Sequence, residues 1–318
     1  MVFRNLDGTF VDKGFSEVLK WKLRLAAPGE VREEFLEQVR GVTSAPRVEN
    51  DGSALAKAER SALSWIGHAS FLVQLGGCSI LIDPIFSTRL FAVRRLVAPG
   101  LSRAALPHVD ALVITHNHRD HMDAASLVDF ARRERQPVII APKGLGGWFA
   151  GRGFSDVREL GWWEHTDLGS SSAGDVRITF VPAQHWSQRG ALDRNTSLWG
   201  GYVFEDGTHR VYHSGDTAYF EGFVDIGKKL GRLDAAMLPI GAYEPRWFMR
   251  PQHMNPEDAV QAFLDLGATK FVAMHWGTFR LTDEPIGEPP VFTRAEFERV
   301  RLELERLAIP AVGETLAL

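Results

Sequence analysis

The amino-acid sequence predicts an α/β (α+β) sandwich, two sheets packed face to face with helices on their outer sides. Three observations carry that expectation. Short runs of strand length recur in both halves of the chain. Dipeptides suited to tight hairpins join neighbouring runs. Helical segments with their own start and stop signals fall between the runs. In the first half, Leu63 to Ile66, Ser70 to Leu75 and Ser79 to Asp83 are apolar runs, and Gly76-Gly77 turns the chain between two of them. Ala111 to Thr115 reads as a further buried strand. Asp123 stands where a helix through about Arg133 needs its N-cap, with Ala124, Leu127, Val128 and Ala131 on one face. Pro137 ends that segment, and Val138 to Ala141 resumes as strand.

The second half repeats the texture. Val176, Ile178 and Phe180 alternate with polar neighbours, the two-residue period of a strand. Leu198 to Glu205 and His209 to Ser214 flank Asp206-Gly207, a hairpin signal. Ala235 to Ile240 and Phe271 to Met274 read as strands. Between them Asn255 caps a helix that has Pro256 at its first position and Gly267 past its end. Thr293-x-x-Glu296 has the form of a capping box opening the last long helix.

Bulk properties narrow the function classes. The 318 residues are 45% hydrophobic and 24% charged, so an ordinary core is available without covalent staples. A formal charge of −4 argues against nucleic acid as a partner, since such proteins carry a basic excess or a basic face. Cys78 is the single cysteine, which excludes an intrachain disulfide and any cysteine-built zinc site, and favours a reducing, cytoplasmic compartment. The stretch Met1 to Phe10 has no apolar core of a secretory signal, and no run of ~18 apolar residues predicts a membrane-spanning helix. Peripheral membrane contact stays open. Residues 1–60 are charged and helix-prone, then irregular, and are expected to form an N-terminal extension packed on a main domain of residues 61–318. Within the extension, Phe15, Val18 and Leu19 sit at helical spacing beside Lys20, Lys22 and Arg24. That pattern suits a helix docked on the main domain, with a basic amphipathic surface for lipid headgroups as the alternative.

The stretch that carries chemistry is Thr115-His116-Asn117-His118-Arg119-Asp120-His121. Three of the chain's 11 histidines lie within six residues, directly after a buried strand and before a helix. A loop at the carboxyl end of a strand lets such side chains converge on one point. Imidazole nitrogens with carboxylate oxygens suit zinc, and also iron or manganese. Four such ligands around one ion would leave no position for water, so two ions are the more economical reading. His185, Asp216 and His275 each follow a predicted strand and are expected at the same edge.

This set resembles the metallo-β-lactamase superfamily, whose signature is the His-x-His-x-Asp-His loop. The resemblance spans roughly residues 61–290 and implies a four-layer αββα sandwich with two zinc ions at one edge. By that resemblance His116, His118 and His185 bind the first ion, Asp120, His121 and His275 the second, and Asp216 bridges them. Asp216 and the absence of a cysteine ligand point away from antibiotic hydrolysis, and His118 points away from the diiron electron-transfer branch. The block from Ile240 to Met249, followed by Gln252-His253, is similar to the N-acyl-phosphatidylethanolamine-hydrolysing phospholipase D family. Trp65-Ile66-Gly67-His68-Ala69, Gln184-His185-Trp186, Leu198-Trp199-Gly200 and Met274-His275-Trp276-Gly277 support the similarity.

What that resemblance implies is a dinuclear centre that activates a water against a lipid phosphodiester. Asp120 serves chemistry as well as metal. His253 and His68 are the expected proton donors to the leaving oxygen. Arg246 is expected on the substrate phosphate, with a structural ion pair to Glu244 as the alternative. Tyr243 and Trp247 are expected along the substrate, and Trp186, Trp199, Phe248, Met249 and Trp276 either line an apolar groove or belong to the core. A lactone or carboxyl-ester hydrolase on the same scaffold is the second reading. A non-enzymatic lipid-binding protein is the third, and it requires a broken ligand set, whereas all seven positions are filled.

Overall fold

The computed structural model describes residues 2–11, 15–55, 61–170 and 174–318. Among them two seven-stranded sheets form the centre. The first runs in spatial order Thr315–Ala317, Ala62–Gly67, Ser70–Leu75, Cys78–Ile82, Ala111–Val113, Val138–Pro142 and Val157–Leu160. The second runs Leu307–Ala308, Lys270–Met274, Ala235–Pro239, Arg210–His213, Gly201–Glu205, Gly174–Val181 and His165–Ser170. Helix Ala124–Ala131 covers the first sheet, while Gly222–Leu230, Pro256–Leu266 and Glu288–Arg299 cover the second, which completes four layers.

The unbroken apolar runs have a physical cause. Alternate residues of the first sheet enter two different cores. Leu63, Trp65, Phe71, Val73, Ile80 and Ile82 face the other sheet. Their neighbours Ile66, Leu72 and Leu81 pack with Leu127 and Phe130 of the covering helix. A strand buried on both faces has no polar face to show. Gly76 and Gly77 both have positive φ, 53° and 76°, as the expected two-residue turn requires. Asn255 makes its capping box with Asp258, and Gly267 ends that helix in the left-handed region at φ 65°.

Two expectations are corrected. The last helix begins at Glu288, not at Thr293. Pro289 and Pro290 occupy its first turn, where a missing N–H costs nothing, and the Thr293 hydroxyl donates back to the Pro289 carbonyl. Asp123 does precede its helix, but its carboxylate accepts from the Ser87 and Ser126 hydroxyls instead of the helix amides, and the helix stops at Ala131. Short edge strands such as Val157–Leu160 and Thr315–Ala317 lack a period of their own and are strands because a neighbour pairs with them.

Each sheet has a parallel half. Cys78–Ile82, Ala111–Val113 and Val138–Pro142 run together in one, and Arg210–His213, Ala235–Pro239 and Lys270–Met274 in the other. Parallel strands end on the same side, so the loops after Ile82, Val113, His213, Pro239 and Met274 gather along one edge of the sandwich. Parts of residues 2–11 and 15–55 lie against this edge. Asn5 Oδ1 accepts from the His185 amide and the Trp199 indole, Ala45 N–H donates to the Gly277 carbonyl, and Arg32 pairs with Glu288 at 3.0 Å. The expected boundary at residue 60 and the side chain of Phe15 lie outside the described residues, while Phe15–Lys22 is the helix its spacing predicts. No described helix is long and apolar enough to cross a membrane.

Candidate metal centre and its cleft

All seven residues expected to bind metal meet at the gathered edge. His116 Nε2 lies 2.8 Å from His118 Nδ1, and His185 Nε2 lies 3.2 Å from the same atom. On the other side His121 Nε2 is 3.1 Å from Asp216 Oδ2 and His275 Nε2 is 3.2 Å from Asp216 Oδ1. Asp120 Oδ2 stands 3.8 Å from both His121 Nε2 and His275 Nε2. Asp216 thus spans the two groups, with one oxygen 4.0 Å from His185 Nε2.

Hydrogen bonding behind the rings decides which nitrogens face inward bare. The Thr115 hydroxyl donates to Asp83 Oδ2, so its oxygen must accept from His116 Nδ1–H, which leaves His116 Nε2 as a lone pair. His185 Nδ1–H donates to the Gln252 carbonyl at 2.9 Å, leaving its Nε2 bare. His121 Nδ1–H donates to Asp83 Oδ2 at 2.7 Å, again leaving Nε2 inward. Buried His121 Nε2, His275 Nε2 and Asp216 Oδ1 have no hydrogen-bond partner. Lone pairs and carboxylate oxygens converge without donors to satisfy them, and cations are what such a set lacks. The residues present therefore fit two metal ions.

Electrostatics agree. Burial drives His116 well below its ordinary pKa, His118 down to about 3 and His185 down to about 4, so these rings stay neutral, the form that ligates. Burial also opposes charge on His121 and His275, but the carboxylates outweigh it. Asp216, Asp83 and Asp120 hold His121 well above the usual range, and Asp216 with Asp120 lifts His275 to about 9. Without metal, protons stand in for cations on those two rings. A cation at His275 must displace that proton, so metal affinity should rise with pH, by up to about tenfold per unit from this group, until about pH 9. Competition titrations against a chelating dye across that range measure it, and a flat profile would contradict the assignment. The raised pKa stabilises the metal-free fold below the unfolded value near 6.5, and that contribution is lost as pH climbs through about 9.

The backbone is strained where the site is built. Asp83, His68, Ala242 and His275 are non-glycine residues at φ 41°, 57°, 63° and 61°. Gly215 is required for a related reason. It has φ 62°, and a Cβ there would come within 2.7 Å of the Gly200 carbonyl and 2.9 Å of Thr115 Cβ.

A cleft of about 470 Å³ opens over the cluster. His118, Asp120, Asp216 and His253 form its polar floor. Trp21, Phe91, Trp186, Met249 and Leu281 form apolar walls. His253 sits as expected at the floor, with Nδ1 4.0 Å from Asp216 Oδ2. His68 does not reach the cleft. It is buried behind Asp120, 3.1 Å from Oδ2, where it orients that carboxylate. The three expected substrate contacts are likewise elsewhere. The Arg246 guanidinium is held by Asp258 at 2.6 Å and by the His253 carbonyl and does not line the cleft, while Glu244 Oε2 accepts from Arg246 only at the backbone amide. Tyr243 is buried against Phe292 with its hydroxyl donating to Glu288, and Trp247 donates to the Ala27 carbonyl outside the cleft. Of the aromatic and methionine residues weighed for the groove, Trp186 and Met249 line it, while Trp199, Phe248 and Trp276 are buried away from it.

Three contributors are absent from the sequence reading. Asp83 organises Thr115 and His121 from behind, and its one signal is an acid ending an otherwise apolar strand. Trp21 comes from the N-terminal residues, packs on Phe248 with ring centroids 5.1 Å apart and planes tilted by 34°, and donates to Asp283. Phe91 tips a small hairpin, Arg89–Leu90 with Val93–Arg94. Only three-dimensional proximity brings the last two to the site.

Comparison with known proteins follows the geometry. Residues 79–276 match the family model described as a beta-lactamase superfamily domain. The chain is 37% identical over 238 residues to N-acyl-phosphatidylethanolamine-hydrolyzing phospholipase D 1 of Caenorhabditis elegans, covering 71% of this chain and 67% of that protein. It is 32% identical over 230 residues to a metal-dependent hydrolase of Koribacter versatilis, covering 70% of this chain and 88% of the other. Among solved structures, the metallo hydrolase Igni18 from Ignicoccus hospitalis shares the fold, with a TM-score of 0.62 at 24% identity over 81% of this chain and 98% of that one.

Proposed function

Because the chain belongs to the β-lactamase superfamily and is a metal-dependent hydrolase, we propose that it cleaves a lipid phosphodiester of the N-acyl-phosphatidylethanolamine class, with zinc in its dinuclear site. The observation that carries this reading is the cleft, in which a polar floor of ligand residues is continuous with apolar walls. Such a cavity suits a molecule with an anionic reacting centre and hydrocarbon beside it. Similarity to the nematode phospholipase supports the same substrate class.

Two bound cations supply Lewis-acid polarisation of a phosphoryl oxygen and bring the pKa of water towards neutrality. The side chains then have separate tasks. Asp120, at the cleft floor and oriented by His68, accepts a hydrogen bond from the attacking water and aims it at phosphorus. Water adds to phosphorus and gives up one proton, the bond from phosphorus to the ethanolamine oxygen breaks, and that oxygen takes up one proton to leave as the alcohol. His253 is kept neutral by burial, so its ring N–H donates a hydrogen bond to that departing oxygen. The products are an N-acylethanolamine and phosphatidic acid. Trp186 and Met249 hold hydrocarbon against the wall and exclude water from it.

Purified protein, stripped by chelation and reloaded, should cleave N-acyl-phosphatidylethanolamine only when metal is restored, with both products seen by mass spectrometry. Opening of N-acyl lactones without cleavage of any phosphodiester would transfer the assignment to carboxyl-ester hydrolysis. Trp21→Ala should raise KM for a long-chain substrate about tenfold, the scale of one large apolar contact, and leave a short-chain phosphodiester little changed. Equal losses on both substrates would remove Trp21 from the acyl wall.

A further inference from the structure

We propose that the rim of the cleft is a docking surface for an anionic lipid bilayer, built from the hairpin tip at Phe91, the loop tip at Leu192 and the arginines around them. The proposal rests on the lipid reading of the cleft for its purpose, but not for its test.

Two apolar side chains stand out at the tips of rim loops. Phe91 is 73% exposed and Leu192 is 97% exposed. Both belong to segments that reach the cleft, since Phe91 lines it and the Leu192 loop starts at the lining residue Gln188. Arg119 joins the two segments, with its guanidinium over the Phe91 ring at 4.4 Å and a hydrogen bond to the Arg189 carbonyl. They therefore form one rim.

Around the two tips the charge is mainly positive, although the chain as a whole is acidic and Asp283, exposed beside Trp21, is an acid on the far wall. No aspartate or glutamate occurs between Asp83 and Asp110, while that stretch carries Arg89, Arg94, Arg95 and Arg103. Arg89, Arg94 and Arg119 are exposed. In the neighbouring loop Asp193 turns inward, accepting from the Arg189 and Gly190 amides. Across the cleft, the helix that supplies Trp21 exposes Lys20 and Lys22, with Arg24 just beyond it. Cations at headgroup depth beside apolar tips that enter the acyl boundary are the two components of interfacial binding. A soluble acidic protein would match the cations and leave both apolar tips in water.

The test is co-sedimentation of the full, metal-loaded chain with vesicles of phosphatidylcholine alone or with about one-third phosphatidylserine. Expected is binding to the anionic vesicles, weakened about tenfold or more between about 50 and about 500 mM salt. Arg89→Glu with Arg94→Glu should weaken it about tenfold or more, and Leu192→Asp should do so at either salt concentration. Circular dichroism and metal content confirm that each variant is folded. Equal binding to neutral vesicles, binding unchanged in both variants, or salt-sensitive binding to an oligonucleotide in place of vesicles would overturn the proposal. Vesicle binding is read without turnover, so an inactive but membrane-bound protein would sink the lipid-phosphodiesterase reading and leave this surface standing.

Discussion

Replacing Asp216 with Asn lowers hydrolysis by about a thousandfold and leaves the protein with about one metal ion in place of about two. The expectation follows from where the carboxylate sits. Its two oxygens reach His121 and His275 on one side, and one of them approaches His185 on the other. It is the group shared by both halves of the cluster. An amide keeps the volume but removes the negative charge, and its nitrogen turns a donor towards positions that call for acceptors. The lost charge stabilisation is worth several kcal/mol, hence the factor. Elemental analysis and steady-state kinetics on reloaded protein read the two effects together. Two tightly held ions with activity within tenfold of the parent would show that Asp216 does not bridge.

The second large effect belongs to Asp83, which no substrate touches. Asp83→Ala should destabilise the fold by about 3–5 kcal/mol and weaken metal binding about 10–100-fold. This carboxylate is fully buried and accepts from the Thr115 amide, the Thr115 hydroxyl and His121 Nδ1–H. Removing it strands three donors at once in a dry interior. It also frees the His121 ring to turn and take the other tautomer. Asp83→Asn separates the two consequences. With its oxygen in the place of Oδ2 the amide still accepts from the Thr115 hydroxyl and His121, so less stability is lost, but the negative charge behind His121 is gone, so the metal defect persists. Thermal unfolding and metal titration of both variants measure this. Parent-like metal affinity in a folded Asp83→Ala protein would remove the residue from the site.

Much of this arrangement was legible in the linear chain. The histidine-rich loop after a buried strand located the first four cluster residues because consecutive positions in a tight loop share one neighbourhood. His185, Asp216 and His275 were legible through a weaker rule, that polar residues just past a strand end collect at a sheet edge. Composition alone does not direct the aromatic block 240–249. Tyr243 and Trp247 are large and amphipathic, which suits a cleft or a core equally. Their direction depends on Glu288 and Ala27, partners remote in sequence. The charge of Arg246 suits a phosphate or an ion pair equally, and Asp258, twelve residues later, is the carboxylate that holds it.

The sequence alone determined the layered class, the turns that demand positive φ, the identity of the clustered imidazoles and carboxylates, and the chemistry open to them. Those depend on local backbone preference and on side-chain type, which every residue carries with it. Tertiary structure alone decided which nitrogens point inward bare, that Asp83 stands behind His121, that His68 backs Asp120, and that Trp21 and Phe91 wall the cleft. Each of these depends on distance between segments far apart along the chain, and distance arises only when burial brings the segments into contact.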